Sequence, residues 1–81
     1  MTISGTTIDG NTASGAALDN GGGGIYNLNG GVLTITNATI TNNIANGTAG
    51  SGGGILNDVG STVDVTNSTI SGNSASRAGG G

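Results

Sequence analysis

Four carboxylates and one guanidinium make up all the charged side chains of this chain: Asp9, Asp19, Asp58, Asp64 and Arg77. Cleavage of a glycosidic bond needs two carboxyl groups at a set separation, and a hard cation needs several converging oxygen ligands. A larger set of polar groups consists of hydroxyls flanking β-branched residues, led by Ser4, Thr7, Thr34, Thr36, Thr39, Thr41, Thr66 and Thr69. Hydroxyls at alternate positions could form an ordered surface for water, ice or a saccharide. What either set can do depends on where the backbone puts it.

An internal repeat does the placing. Gly24, Ile25 and Asn27 return as Gly54, Ile55 and Asn57, an offset of 30, and Leu33, Ile35, Thr36, Asn37, Thr39, Ile40, Asn43 and Ala45 return as Val63, Val65, Thr66, Asn67, Thr69, Ile70, Asn73 and Ala75. An offset of 32 carries Ile35, Ile40, Asn43 and Ala45 back onto Ile3, Ile8, Asn11 and Ala13, and the glycine triplet returns at Gly79–Gly81. A fixed period of this length marks a solenoid. Leu33 and Ile35 alternate with Thr34 and Thr36, and Ile40 sits between Thr39 and Thr41, so each unit reads as three short half-buried strands at 24–27, 32–37 and 38–43. Gly, Asn, Thr and Ser are poor in helix interiors.

Such a unit cannot close on itself. If each unit makes one circuit, every strand pairs in parallel with its copy about 4.8 Å away, and the chain makes between two and three coils in a stack about 13 Å tall. Columns follow: Ile3, Ile35 and Val65; Ile8, Ile40 and Ile70; Leu33 and Val63; Ile25 and Ile55. Asn11, Asn43 and Asn73 fall at one corner and Asn37 and Asn67 at another, where stacked amides would bond to one another. The hydroxyls form columns too: Ser4, Thr36 and Thr66; Thr7, Thr39 and Thr69; Asp9, Thr41 and Ser71. Asp64 aligns with Thr34, so Asp9 and Asp64 belong to separate columns, and no pair of acids is set for acid and base work. Segments 14–21, 46–51 and 76–78 differ from one another and read as surface loops. The glycines precede the first strand, at a bend or close backbone approach.

Composition narrows the function classes. One basic residue cannot neutralise a run of phosphates or dock to anionic lipid, which argues against nucleic acid and membrane partners. Without cysteine there is neither a disulfide framework nor a thiolate metal site. No apolar run is long enough to span a membrane, and Met1 runs straight into repeat sequence with no signal-peptide pattern. The expectation is one domain, residues 1–81, cut mid-coil at the N-terminus and uncapped at the C-terminus, with any export signal outside it. Tyr26 could stack on a sugar, but its copy is Leu56. The glycosylation-type tripeptides at Asn37, Asn46 and Asn67 coincide in two cases with an asparagine column and read as accidental. The Gly triplets lack the Lys and helix start of a phosphate loop.

Gly-Gly-Gly-Ile-Tyr-Asn at 22–27, Leu-Thr-Ile-Thr-Asn at 33–37 and Thr-Ile-Ser-Gly-Asn at 69–73 resemble the right-handed parallel β-helix repeats of pectin-lyase-like proteins. More narrowly they are similar to repeats of polymorphic outer-membrane proteins and autotransporter passengers, although the chain has no Phe for the Phe-x-x-Asn motif of the chlamydial members. The resemblance implies an all-β solenoid fragment of a secreted or bacterial cell-surface or outer-membrane protein, with a non-catalytic structural or adhesin role and no cofactor. Bare terminal strands and apolar cross-sections lead to the expectation that the isolated chain either stacks end to end or is only marginally folded, so the partners expected are further coils of the parent chain, other copies stacked end to end, and a carbohydrate or host surface. Two other readings stay open: an ice-binding module, since the threonine columns resemble those of ice-binding β-helices, and a non-catalytic piece of a polysaccharide lyase or hydrolase.

Overall fold

A computed structural model describes residues 1–15, 21–48, 50–77 and 79–81. It is all-β, with strands β1 (Thr2–Ser4), β2 (Thr7–Asp9), β3 (Thr12–Ala13), β4 (Ile25–Asn27), β5 (Val32–Thr36), β6 (Thr39–Thr41), β7 (Ile44–Ala45), β8 (Ile55–Asn57), β9 (Thr62–Thr66), β10 (Thr69–Ser71) and β11 (Ser74–Ala75). No strand pairs with its neighbour in sequence. The sheets are β1-β5-β9, β2-β6-β10, β3-β7-β11 and β4-β8, and every pairing is parallel. This is a β-helix, in which each circuit lays a strand beside its own copy. The shortest principal extent is 14 Å, the height expected of three stacked strands.

The pairings are those the repeat implies. Ile3 lies beside Ile35 and Ile35 beside Val65; Ile8 lies beside Ile40 and Ile40 beside Ile70; Leu33 lies beside Val63 and Ile25 beside Ile55. The inward side chains of the middle coil, Leu33, Ile35, Ala38 and Ile40, form the buried core, and Ile3, Ile8, Ile25, Ile55, Val63 and Ile70 pack against it. Position in the stack decides burial: Ile35 is 0 % exposed, whereas Val65, the same position in the outermost coil, is 41 % exposed. A core this thin relies on coil-on-coil contact for its apolar burial.

Each coil contains one strand more than the alternation pattern suggests. After the expected three comes a two-residue strand, β3, β7 or β11, paired through Ala13, Ala45 and Ala75. It is too short to show alternation, and Asn43 just before it looks like a strand end. Facing it, the glycine triplets run backbone to backbone: a methyl group on Gly23 would lie 2.4 Å from Gly53 O and 2.7 Å from Ile44 N, and one on Gly53 would lie 2.2 Å from Ser74 O. No side chain fits between these two walls.

The bends recur in columns of left-handed backbone. Gly5, Asn37 and Asn67 have φ of 57°, 51° and 48°, and Gly10, Asn42 and Gly72 have φ of 70°, 55° and 63°. Glycine and asparagine tolerate this region better than other residues, so they interchange at these corners. This corrects the expectation of an amide ladder at Asn37 and Asn67, whose side chains are exposed and make no bond to each other. The ladder does form at Asn11, Asn43 and Asn73. Asn11 N and Nδ2 donate to Asn43 Oδ1 at 3.0 Å each, and Asn43 N and Nδ2 donate to Asn73 Oδ1 at 2.9 and 3.1 Å. Asn43 Nδ2 also reaches Ile8 O, and Asn73 Nδ2 reaches Ile40 O, both at 3.0 Å. A second ladder, absent from the sequence expectation, joins Asn27 Nδ2 to Asn57 Oδ1 at 2.9 Å.

The divergent segments are also stacked. Gly47 and Gly50 are buried, a methyl group on Gly47 would overlap Gly15 O, Ser76 Oγ donates to Gly47 O, and Arg77 N donates to Gly50 O at 2.8 Å. Segments 46–51 and 76–78 are therefore part of the wall where described, because backbone groups pair whatever the side chains. Of segment 14–21, residues 16–20 lie outside the described residues.

Candidate functional site

The hydroxyl columns occupy two of the sheets. On β1-β5-β9, Ser4 pairs with Thr36 and Thr36 with Thr66, while Thr2 pairs with Thr34 and Thr34 with Asp64. On β2-β6-β10, Thr7, Thr39 and Thr69 form one column and Asp9, Thr41 and Ser71 the next. All eight hydroxyl residues singled out in the sequence therefore hold register positions, with Ser4, Thr36 and Thr66 brought together and Thr7, Thr39 and Thr69 brought together. Thr34, Thr36, Thr39 and Thr41 in the middle coil are half-buried by the coils on either side, and the others are exposed. Strand geometry spaces the hydroxyls about 4.8 Å across the strands and about 6.6 Å along them.

The array is divided. The left-handed bend at Gly5, Asn37 and Asn67 separates the Ser4 column from the Thr7 column, so the two hydroxyl strips lie on different walls. Within each strip a carboxylate interrupts the order: Asp64 follows Thr34, and Asp9 precedes Thr41. Asp9 Oδ1 accepts a hydrogen bond from Asn42 Nδ2 at 3.1 Å.

The acids do not converge. Asp9 is on β2 and Asp64 on β9, in separate sheets, as their register requires. Asp58 follows β8, where its Oδ1 accepts from Val59 N at 2.8 Å and its Oδ2 accepts from the Tyr26 hydroxyl at 3.3 Å. Asp19 lies outside the described residues. Among the described residues no three acidic side chains group to hold a metal ion. Arg77 is exposed, its backbone N–H donates to Gly50 O, and it makes no ion pair among the described residues. Tyr26 is 37 % exposed beside Leu56, with Leu28 and Val59 exposed in the turns after β4 and β8. The hydrogen bond from the Tyr26 hydroxyl to Asp58 joins one coil to the next. Asn37, Asn46 and Asn67 are all exposed, the first and last at the left-handed corners.

The geometry defines a repeat wall with ordered polar outer faces. Comparison with protein-family models, with curated proteins and with solved structures gave no match.

Proposed function

We propose that this chain is a non-catalytic scaffold segment of a secreted or bacterial surface protein, of the kind found in pectin-lyase-like and autotransporter passenger repeats, with an adhesin-type role through its outer walls. The observation that carries the reading is the residue-for-residue stacking of successive coils. A unit whose every strand is a template for its own copy is suited to extension along one axis, and its wet faces present hydroxyls and amides instead of a cleft. Inserting one more copy of residues 24–53 between Gly53 and Gly54 tests the scaffold role: the longer chain is expected to unfold at a higher urea concentration. A lower midpoint, or release of unsaturated or reducing sugars from pectin-like polymers by the original chain, would reject it. Protease shaving of intact source cells tests the surface location.

The in-register threonine columns favour a second reading, an ice-binding wall. Hydroxyls at fixed repeats in two directions can order a water layer, and thermal hysteresis that disappears in Thr36→Leu or Thr39→Leu would support it. Against that reading stand the division of the strips and the carboxylates within them.

A further inference from the structure

Asn20, Asn29 and Asn46 each precede a glycine. A glycine carries no side chain to hinder its nitrogen, so an Asn-Gly peptide is where a backbone nitrogen most readily attacks the side-chain carbonyl before it. Asn20 lies outside the described residues, and the fold treats the other two differently. Asn29 and Gly30 are the central residues of the turn between β4 and β5. Both are exposed, Gly31 N donates to Leu28 O at 3.2 Å, and φ is 58° at Asn29 and 72° at Gly30. Left-handed backbone at both positions with that closing bond makes a type I′ turn. The Asn29 amide makes no hydrogen bond among the described residues, and a methyl group on Gly30 would meet nothing nearer than Gly60 O at 3.9 Å.

This turn is one peptide rotation from ring closure. Type I′ and type II′ turns share a φ of about +60° at the first central residue and differ in the peptide between the two central residues. In type II′ the first ψ is about −120°, which brings the following nitrogen into line with Cβ, as a five-membered ring requires. The second residue then takes negative φ, which glycine does freely. Asn46 has no such freedom. Its N–H donates to Ala13 O at 2.9 Å, Gly47 is buried with a methyl-sized clash against Gly15 O, and Gly47 O accepts from Gly50 N at 2.9 Å and from Ser76 Oγ. Coils on both sides hold that peptide. The exposure of Asn29 belongs to its turn rather than to its place in the stack, since Asn37 and Asn42, at left-handed corners with a coil on each side, are exposed as well.

We propose that Asn29 is a self-modification site, converted with water to aspartate and isoaspartate while Asn46 is spared. Gly30 N bonds to Asn29 Cγ, the Cγ–Nδ2 bond breaks, and Nδ2 leaves as ammonia with the proton that Gly30 N gives up. The product is a cyclic imide. Water then adds to one imide carbonyl and a C–N bond breaks. Opening at Cγ gives aspartate, and opening at the backbone carbonyl gives isoaspartate, whose main chain runs through Cβ and Cγ. Nothing is oxidised or reduced, and water is the one co-reactant. Either product adds a negative charge to a chain of net −3, in the turn that stacks on Asp58, and isoaspartate also lengthens that turn by a carbon. The site rests on the turn, independent of any role of the outer walls, so a failure of adhesion or surface location leaves it untouched.

Incubating the full chain in mildly alkaline buffer and in denaturing urea tests it, with electron-transfer fragmentation to locate each converted asparagine and to distinguish isoaspartate from aspartate. In urea, Asn29 and Asn46 are expected to convert at similar rates, because both precede glycine. In buffer, with the β-type far-ultraviolet spectrum as the check on folding, Asn29 is expected to convert at least about tenfold faster than Asn46, whose peptide must first be opened locally. The variant Asn29→Gly keeps the left-handed turn; it is expected to lose the fast event, retain the spectrum and leave Asn46 as slow as before. Equal rates at the two asparagines in buffer, faster conversion at Asn46, or slowing of Asn29 on folding by as much as Asn46 would each overturn the proposal.

Discussion

Replacing Asn43 by alanine tests the ladder directly. Its side chain accepts from Asn11 N and Nδ2 and donates to Ile8 O and Asn73 Oδ1, four contacts at 3.0 to 3.1 Å. Asn73 Oδ1 keeps the Asn43 backbone donor, but Ile8 O loses its amide and Asn11 N–H its acceptor. Each lost bond is worth about 1 kcal/mol, and each buried group left unpaired adds about 1 to 3 kcal/mol, so the substitution is expected to destabilise the fold by about 3 to 5 kcal/mol. Small domains have about 5 to 15 kcal/mol in all, so the variant should be close to unfolding in buffer. The neighbouring change Asn42→Gly is the control. Asn42 sits at a left-handed corner whose copies are Gly10 and Gly72, and its side chain makes an exposed bond to Asp9, so the effect should stay within about 0.5 kcal/mol. Urea unfolding followed by far-ultraviolet circular dichroism, at one chain concentration so that association contributes equally, reads both. A loss for Asn43→Ala no larger than that for Asn42→Gly would mean that the ladder does not hold the coils together.

Asn37→Gly should be nearly neutral, while Asn37→Val should cost about 1 to 2 kcal/mol by the same urea assay, because a β-branched residue resists φ of 51°. Gly53→Ala should abolish the folded spectrum, since its methyl group meets Ser74 backbone, whereas Gly60→Ala meets open space and should cost only about 1 kcal/mol for its left-handed backbone. Ser61→Ala should stabilise the fold by about 1 kcal/mol, seen as a higher urea midpoint, because the Ser61 hydroxyl is buried without a hydrogen-bond partner among the described residues. A lower midpoint would show that the hydroxyl is satisfied in solution.

Apolar registry was legible from the residues because alternation and recurrence are both properties of side chains. Leu33 with Val63, Ile35 with Val65 and Ile40 with Ile70 pair as read. What escaped depended on backbone. The two-residue strand at Ile44–Ala45 has no period to detect, and the Gly47 and Gly50 stacking joins segments with no side-chain likeness. Asn37 and Asn43 are the same residue type at similar offsets, yet one turns the chain through left-handed φ and the other stacks its amide. The substitution pattern held the clue: Asn37 and Asn42 have glycine among their copies, Gly5 for one and Gly10 and Gly72 for the other, whereas Asn43 has only asparagine. Of the candidate site, the column membership of each hydroxyl and the corner at Asn37 and Asn67 that divides the columns between two walls were both readable.

The backbone-to-backbone contact at Gly23 and Gly53 has a consequence for what such a chain can vary. With the narrowest part of the tube closed to side chains, the inward positions at Leu33, Ile35 and Ile40 exchange only among aliphatics in the paired coils. Differences between coils gather on the outside instead, with Tyr26 against Leu56, Val32 against Thr62, Thr34 against Asp64, and Thr12, Ile44 and Ser74 in one row. A rigid gauge of this kind decouples surface identity from folding, so new recognition chemistry can be introduced one coil at a time without repacking the interior.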